Sequence, residues 1–275
     1  MLYSELFAAA LQQINSKEFS TAVEVLIEKA FAINRTRFWI IKNQPVRDGS
    51  GLRRFRRYFA RLLANEPLAY ILREKEFFGE KFAVSPAVLI PRPETELLVE
   101  KALGLLGDKP ARVLDIGAGS GNISIVLALK SRATVAALEA SAPALRVLKK
   151  NIARFGLQGR VKIIAADFFP KKIEFFHMIV SNPPYLSRQD WQASPPGIKH
   201  FEPRAALEAG RVGTEALERI VAGAPGFLHP GGHLLLEIGQ GQLRAVRAFL
   251  KNAGLKKTEY ARDYRGIARV ISACR

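Results

Sequence analysis

From Ala111 onward the chain alternates short apolar runs with segments of helical periodicity, and this rhythm constrains its fold more than any other feature. "ARVLDIG" (111–117), "TVAALEA" (134–140), "VKIIAAD" (161–167), "FFHMIVSN" (175–182) and "HLLLEIG" (233–239) are of strand length. Residues 122–130, 141–155, 214–224 and 241–253 carry apolar side chains at helical spacing. A strand that is apolar at nearly every position has no face to give to water, so both sides of the sheet must be covered by helices. The pattern therefore predicts an α/β fold with a mostly parallel, doubly wound sheet. The tail "IARVISA" (267–273) can add a last, antiparallel strand.

The first 74 residues have a different texture. "SELFAAALQQI", "FSTAVEVLIEKAF", "TRFWIIK" and "GLRRFRRYFARLLAN" all read as helices, punctuated at Ser16, Asn34, Pro45 and Gly49-Ser50-Gly51. "EFFGEKFAVS" (76–85) has aromatic runs around Gly79-Glu80, which predicts a β-hairpin. A proline-stiffened loop in "VLIPRPETELLVEKAL" (88–103) then enters a helix near Glu94 or Thr95. The resulting division is a small helical domain (1–74), a hairpin linker (75–90) and an α/β domain (91–275). No stretch approaches 18 apolar residues, which speaks against a membrane span, and the N-terminus lacks the basic start of a secretory leader. The single cysteine, Cys274, excludes an internal disulfide and fits a reducing cytoplasm.

In an open parallel sheet, ligands bind at the carboxyl ends of the strands, and here those ends carry the unusual residues. "DIGAGSG" closes the first strand with Asp115, Gly117, Ala118, Gly119, Ser120 and Gly121. Glycines permit positive φ and close approach of a ligand, just before a helix whose first amides face the site. Glu139 ends the second strand, where a carboxylate can accept hydrogen bonds from both hydroxyls of a ribose; its other reading is a solvated loop acid. Asp167 and Phe168 end the third strand and can bind and stack on an adenine, although core packing explains Phe168 equally well. The fourth strand leaves through "NPPY": Asn182, Pro183, Pro184 and Tyr185. Two prolines make this a stiff, non-helical rim, either a plain turn or a preorganised pocket. The loop differs from the G-x-G-x-x-G fingerprint of pyrophosphate binders. Its leading acid suits a cofactor with a cationic amine, and S-adenosylmethionine has that amine, a ribose and an adenine.

With those residues in view, the chain resembles the HemK/PrmC family of protein-(glutamine-N5) methyltransferases. The blocks that carry the likeness are "EPLAYIL" (66–72), "EFFGEKFAVSPAVLIPRPETELLVE" (76–100), "VLDIGAGSGNISIVLA" (113–128), "VSNPPYL" (180–186), "FEPRAALEAGRVG" (201–213) and "PGGHLLLEIGQGQ" (230–242). The glycine loop alone marks only a class-I methyltransferase; "IPRPETE" with "NPPY" and "EPRAAL" is far more specific. The resemblance implies a class-I, Rossmann-like domain with a seven-stranded sheet behind an N-terminal helical, substrate-docking domain. It implies methyl transfer from S-adenosylmethionine to the glutamine side chain of the Gly-Gly-Gln motif in class-I peptide chain release factors. Asn182 and the Pro183 carbonyl would then accept the two amide N–H groups, Tyr185 would pack on the planar amide, and Pro184 would stiffen the rim. "IPRPET" would border the same cleft, with Glu202 and Arg204 shaping its substrate side and Glu237 in a structural role. Two positions depart from the family pattern: Glu139 where aspartate is more common, and Arg73 where glycine is usual.

Other functions stay open on the sequence alone. A relative that methylates a ribosomal-protein glutamine shares the same motifs. A nucleic-acid adenine-N6 methyltransferase would present the same planar NH₂ to the rim and would need a flipped base. A non-catalytic RNA-binding protein would have no need of an intact "NPPY". The net charge of +17 favours encounter with anionic partners such as nucleic acid or ribosomal surfaces, or else is a solvated background.

Overall fold

The computed structural model describes residues 1–14 and 20–275, so Ser16 lies outside the described residues. The chain forms two compact units: Met1–Arg73 with Pro196–Phe201, and Glu74–Pro195 with Glu202–Arg275.

The first unit is helical: α1 (Tyr3–Ile14), α2 (Ser20–Phe31), α3 (Arg35–Ile41), α4 (Gly49–Leu63) and α5 (Leu68–Leu72). Its core is built from one face of each longer helix, including Leu6, Leu26, Ile27, Phe38, Phe55 and Phe59. The glycine pair at 49–51, read as punctuation around a helix that starts at Gly51, lies in the first turn of α4, which begins two residues earlier. Asp48 caps that helix, its side chain accepting from the Ser50 and Gly51 amides at 2.9 Å each. Gly51 is required there by packing: a Cβ would lie 2.4 Å from the Phe31 ring of α2.

The second unit begins with the hairpin β1 (Glu74–Phe77) and β2 (Glu80–Ala83), paired antiparallel with Phe77 opposite Glu80. Phe78 and Gly79 between them both have positive φ, +53° and +75°, the pattern of a two-residue primed turn. Then follow α6 (Glu94–Leu106), β3 (Arg112–Ile116), α7 (Asn122–Lys130), β4 (Thr134–Glu139), α8 (Ala142–Arg154), β5 (Val161–Ala165) and β6 (Phe176–Ser181). A small parallel pair, β7 (Leu186–Ser187) with β8 (Glu208–Gly210), brackets α9 (Arg188–Gln192) and α10 (Pro196–Phe201), the latter counted in the first unit. The chain closes with α11 (Glu215–Gly223), β9 (Leu228–Glu237), α12 (Leu243–Asn252), β10 (Lys256–Arg262) and β11 (Ala268–Cys274).

The main sheet has seven strands in the order β10-β11-β9-β6-β3-β4-β5. β9, β6, β3, β4 and β5 run parallel, and β11 joins β9 antiparallel, as its tail position suggested. Successive strand residues divide between two apolar layers. Val113, Met178 and Leu235 pack with α6, α7 and α8, while Leu114, Ile179 and Leu234 pack with α11 and α12. This is the two-faced burial that the unbroken apolar runs demanded. The winding order reverses between β3 and β6, which opens a crevice at their carboxyl ends.

Candidate active site

A cavity of about 480 Å³ occupies that crevice. Its wall includes Gly117, Ala118, Gly119, Ser120, Glu139, Asp167, Phe168, Asn182, Pro183 and Pro184, so four strand ends meet around one space. Asp115, Gly121 and Tyr185 do not line it. Arg92 faces it from the loop into α6, Thr95 from the first turn of that helix, and Pro203, Ala205 and Ala206 from the segment before β8.

The glycine loop is stitched to the next strand: the Gly117 and Ala118 amides both donate to the Leu138 carbonyl at 2.9 Å. Gly117 lies at φ +75°, and a Cβ there would meet nothing within 4 Å, so its missing side chain is open space beside the cavity. Gly121, at φ +83°, serves packing instead, because a Cβ would sit 2.5 Å from Leu148 of α8. Glu139 is held in place by the backbone, one oxygen accepting from the Gly119 amide at 2.9 Å and the other from Ser141 at 2.8 Å. Each oxygen retains a second lone pair for a ligand hydroxyl.

Asp115 is fully buried; its Oδ2 accepts from the Ser124 hydroxyl at 2.5 Å and its Oδ1 has no partner. Burial pushes its carboxyl up to about 7, against the lowering effect of the Ser124 hydrogen bonds. Phe168 takes φ +56°, and Arg219 of α11 lays its guanidinium 3.7 Å from the ring centre while reaching Asp167 at 3.7 Å. No local signal in the sequence pointed to Arg219, which comes from an element fifty residues downstream.

At the rim, Asn182 donates from Nδ2 to the Thr95 hydroxyl at 3.0 Å, and its Oδ1 is buried without a partner. The Tyr185 ring packs with the apolar layer under α11 and α12. Gln242 fixes its backbone, donating from Nε2 to the Tyr185 and Gly213 carbonyls at 2.8 and 2.9 Å. Burial, reinforced by the neighbouring Glu237 carboxylate, raises the phenol well above its ordinary range. Glu237, at the end of β9, is itself buried and raised to about 7, chiefly by burial; Thr95 and Tyr185 hydrogen-bond to it.

Two blocks far apart in sequence lock together beside the rim. Glu202 of "FEPRAAL" accepts from the Ile90 amide at 3.1 Å and pairs with Arg92, both in "IPRPETE". Arg204 instead pairs with Glu208 and stacks over Trp191 at 4.2 Å, outside the cavity wall. Among the described residues, no three His, Cys, Asp or Glu side chains cluster as a metal site would require.

The cavity thus offers a backbone cradle beside Gly117, a preset carboxylate at Glu139, a ring at Phe168 and an unpaired acceptor at Asn182. A carboxylate with free lone pairs and an aromatic ring are the groups that a ribose and an adenine would need.

Residues 5–72 match the family model of the PrmC N-terminal domain, and residues 93–194 match that of the methyltransferase small domain. The release factor glutamine methyltransferase of Bordetella pertussis is 43% identical over 86% of this chain and 89% of its own. That of Nitratidesulfovibrio vulgaris is 36% identical over 98% and 94%. Among solved structures, the Thermus thermophilus 16S rRNA N2 G1207 methyltransferase, in complex with AdoMet and guanosine, has a TM-score of 0.53 at 20% identity. It covers 74% of this chain and 49% of its own, a likeness of fold. The matched N-terminal and methyltransferase segments, in that order, and relatives that run almost end to end with this sequence make the chain a member of the release factor glutamine methyltransferase family.

Proposed function

We propose that this protein methylates the side-chain nitrogen of the glutamine in the Gly-Gly-Gln motif of class-I peptide chain release factors, using S-adenosylmethionine. The observation that carries this reading is the buried, unpartnered Oδ1 of Asn182, a residue of the cavity wall. A buried acceptor left empty costs on the order of 1–3 kcal/mol, so it marks a place built for an incoming donor. A primary carboxamide brings two N–H donors in one plane.

Gly117, Gly119, Glu139, Asp167 and Phe168 hold the cofactor, Glu139 through the ribose and Phe168 through the adenine. Bound there, S-adenosylmethionine supplies an electrophilic methyl group on a positively charged sulphur. An amide nitrogen is a weak nucleophile because its lone pair is shared with the carbonyl. Asn182 Oδ1 and the Pro183 carbonyl accept its two protons, orient the nitrogen and favour the positive charge that develops on it. No strong base is needed, since the nitrogen becomes acidic as its charge grows and then gives one proton to solvent. The helical unit docks the release factor, and the +17 charge assists encounter with the anionic translation machinery of the cytoplasm.

Asn182→Ala lowers kcat by roughly 100-fold or more, the scale of losing one preorganised electrostatic contact, while the cofactor dissociation constant stays within a few-fold of wild type. Mass spectrometry of a co-incubated release factor reads the methyl group directly. Wild-type turnover by that variant would remove the acceptor role; label appearing on RNA or DNA and never on a release factor would remove the substrate.

A further inference from the structure

Asn182 can accept from a substrate amide in only one of its two amide orientations. Flipped by half a turn about its last bond, it would offer NH₂ in place of the unpaired oxygen, donor against donor. Nothing in the Asn182 backbone chooses between these; its neighbour does. Thr95 is buried in the first turn of α6, 1% exposed, and its hydroxyl lies between Asn182 Nδ2 and the Glu237 carboxylate. A hydroxyl has one proton to give. Above about pH 7 Glu237 is ionised and has none, and it also accepts a hydrogen bond from the Tyr185 phenol. Its own setting is closed: Arg269 of β11 attracts it, Glu94 of α6 repels it, and one oxygen, Oε2, has no partner. The Thr95 proton therefore goes to Glu237, and only lone pairs are left for Asn182.

We propose that Thr95 is a positioning residue for methyl transfer: by donating to Glu237 it can only accept from Asn182, which ties up Nδ2 and leaves Oδ1 of Asn182 as the free acceptor. The "PET" of "IPRPETE" thereby acquires a role distinct from lining the cleft. This deepens the carboxamide-acceptor reading above and rests on it.

Valine has the shape of threonine without the hydroxyl, so Thr95→Val keeps the packing and frees the amide to flip. At pH 8, where Glu237 is ionised, we expect kcat toward a class-I release factor to fall by roughly 10- to 100-fold, with KM for S-adenosylmethionine within about twofold of wild type. Thr95→Ser, which restores the hydroxyl, should recover kcat to within about threefold. A helix-packing role alone would predict the reverse, with serine the worse of the two because it loses a buried methyl. Wild-type kcat in Thr95→Val, or serine no better than valine, overturns the proposal. Asn182→Ala measured in parallel separates the two readings: if it is inactive while Thr95→Val is not, only the relay fails, and if it is active the acceptor reading itself fails.

Discussion

Asp115 and Glu237 are carboxyl groups that the fold keeps dry, 0% and 1% exposed, each with one oxygen lacking a partner. Burial disfavours the ionised form, and both are raised from ordinary values of 3.8 and 4.5 to about 7. The consequence for stability has a definite sign. Between about pH 4 and 7 the native state holds protons that the unfolded chain has released, so stability from these two groups falls as pH rises through that window. Above it the cost is complete, on the order of 3–5 kcal/mol for each at about 1.4 kcal/mol per unit. Asp48, held low first by the Ser50 hydroxyl and then by the Gly51 amide, contributes with the opposite sign. That contribution is unchanged by substitution elsewhere and cancels in a comparison of variants. An Asp115→Asn, Glu237→Gln double variant should therefore lose less of its urea midpoint between pH 5 and pH 8 than the wild type does. Parallel curves would mean that neither carboxyl is raised.

Arg73 shows at the level of an element what a departure from a family pattern costs. It closes α5 at φ +59° and ψ +25°, in the left-handed region, with its amide donating back to Ala69 and Tyr70. Glycine, the residue expected from the resemblance, adopts that conformation without steric penalty. The arginine side chain is exposed, so little packing is at stake. Arg73→Gly should stabilise the protein by about 0.5–1 kcal/mol after the extra freedom of the unfolded glycine is set against the relieved strain. A urea titration with an unchanged or lower midpoint would refute this. The same local reasoning explains which elements were legible. The parallel strands announced themselves because burial on both faces leaves only apolar residues, and the aromatic runs around Gly79-Glu80 announced the hairpin, although its turn residues are Phe78 and Gly79, and Glu80 already belongs to β2. β10, "KKTEYAR", did not: it is an edge strand with mostly exposed side chains and a bulge, so its sequence reads as a polar loop. The first half of β9 was hidden by Pro230, Gly231 and Gly232. At the site, the strand-end residues were visible from their position after apolar runs. The Thr95–Asn182 and Arg92–Glu202 contacts were not, since each joins residues about ninety or more apart and no periodicity links them.

At the scale of the whole molecule, two cores rather than one decide how the protein melts. The helical unit has its own apolar cluster, and the α/β unit has one on each face of its sheet. The boundary is not a single cut in the chain, because Pro196–Phe201 counts with the helical unit although the segments on both sides belong to the other. In that unit the segment comes close to the end of α4, where a Cβ on Gly197 would lie 2.9 Å from the Asn65 carbonyl. A chain with two cores is a poor candidate for two-state unfolding, so the calorimetric enthalpy should exceed the van't Hoff value. Every residue lining the cavity belongs to the α/β unit. A ligand that binds only there stabilises that unit by mass action, about 2.7 kcal/mol at a hundredfold excess over its dissociation constant. For a domain of that size this is a rise of roughly 5–10 °C. S-adenosylhomocysteine should therefore move one calorimetric transition upward and leave the other where it was. If instead both move together, or only one transition with matching enthalpies is seen, then the two cores unfold as one cooperative block, and ligand binding at the sheet stabilises the helical unit as well.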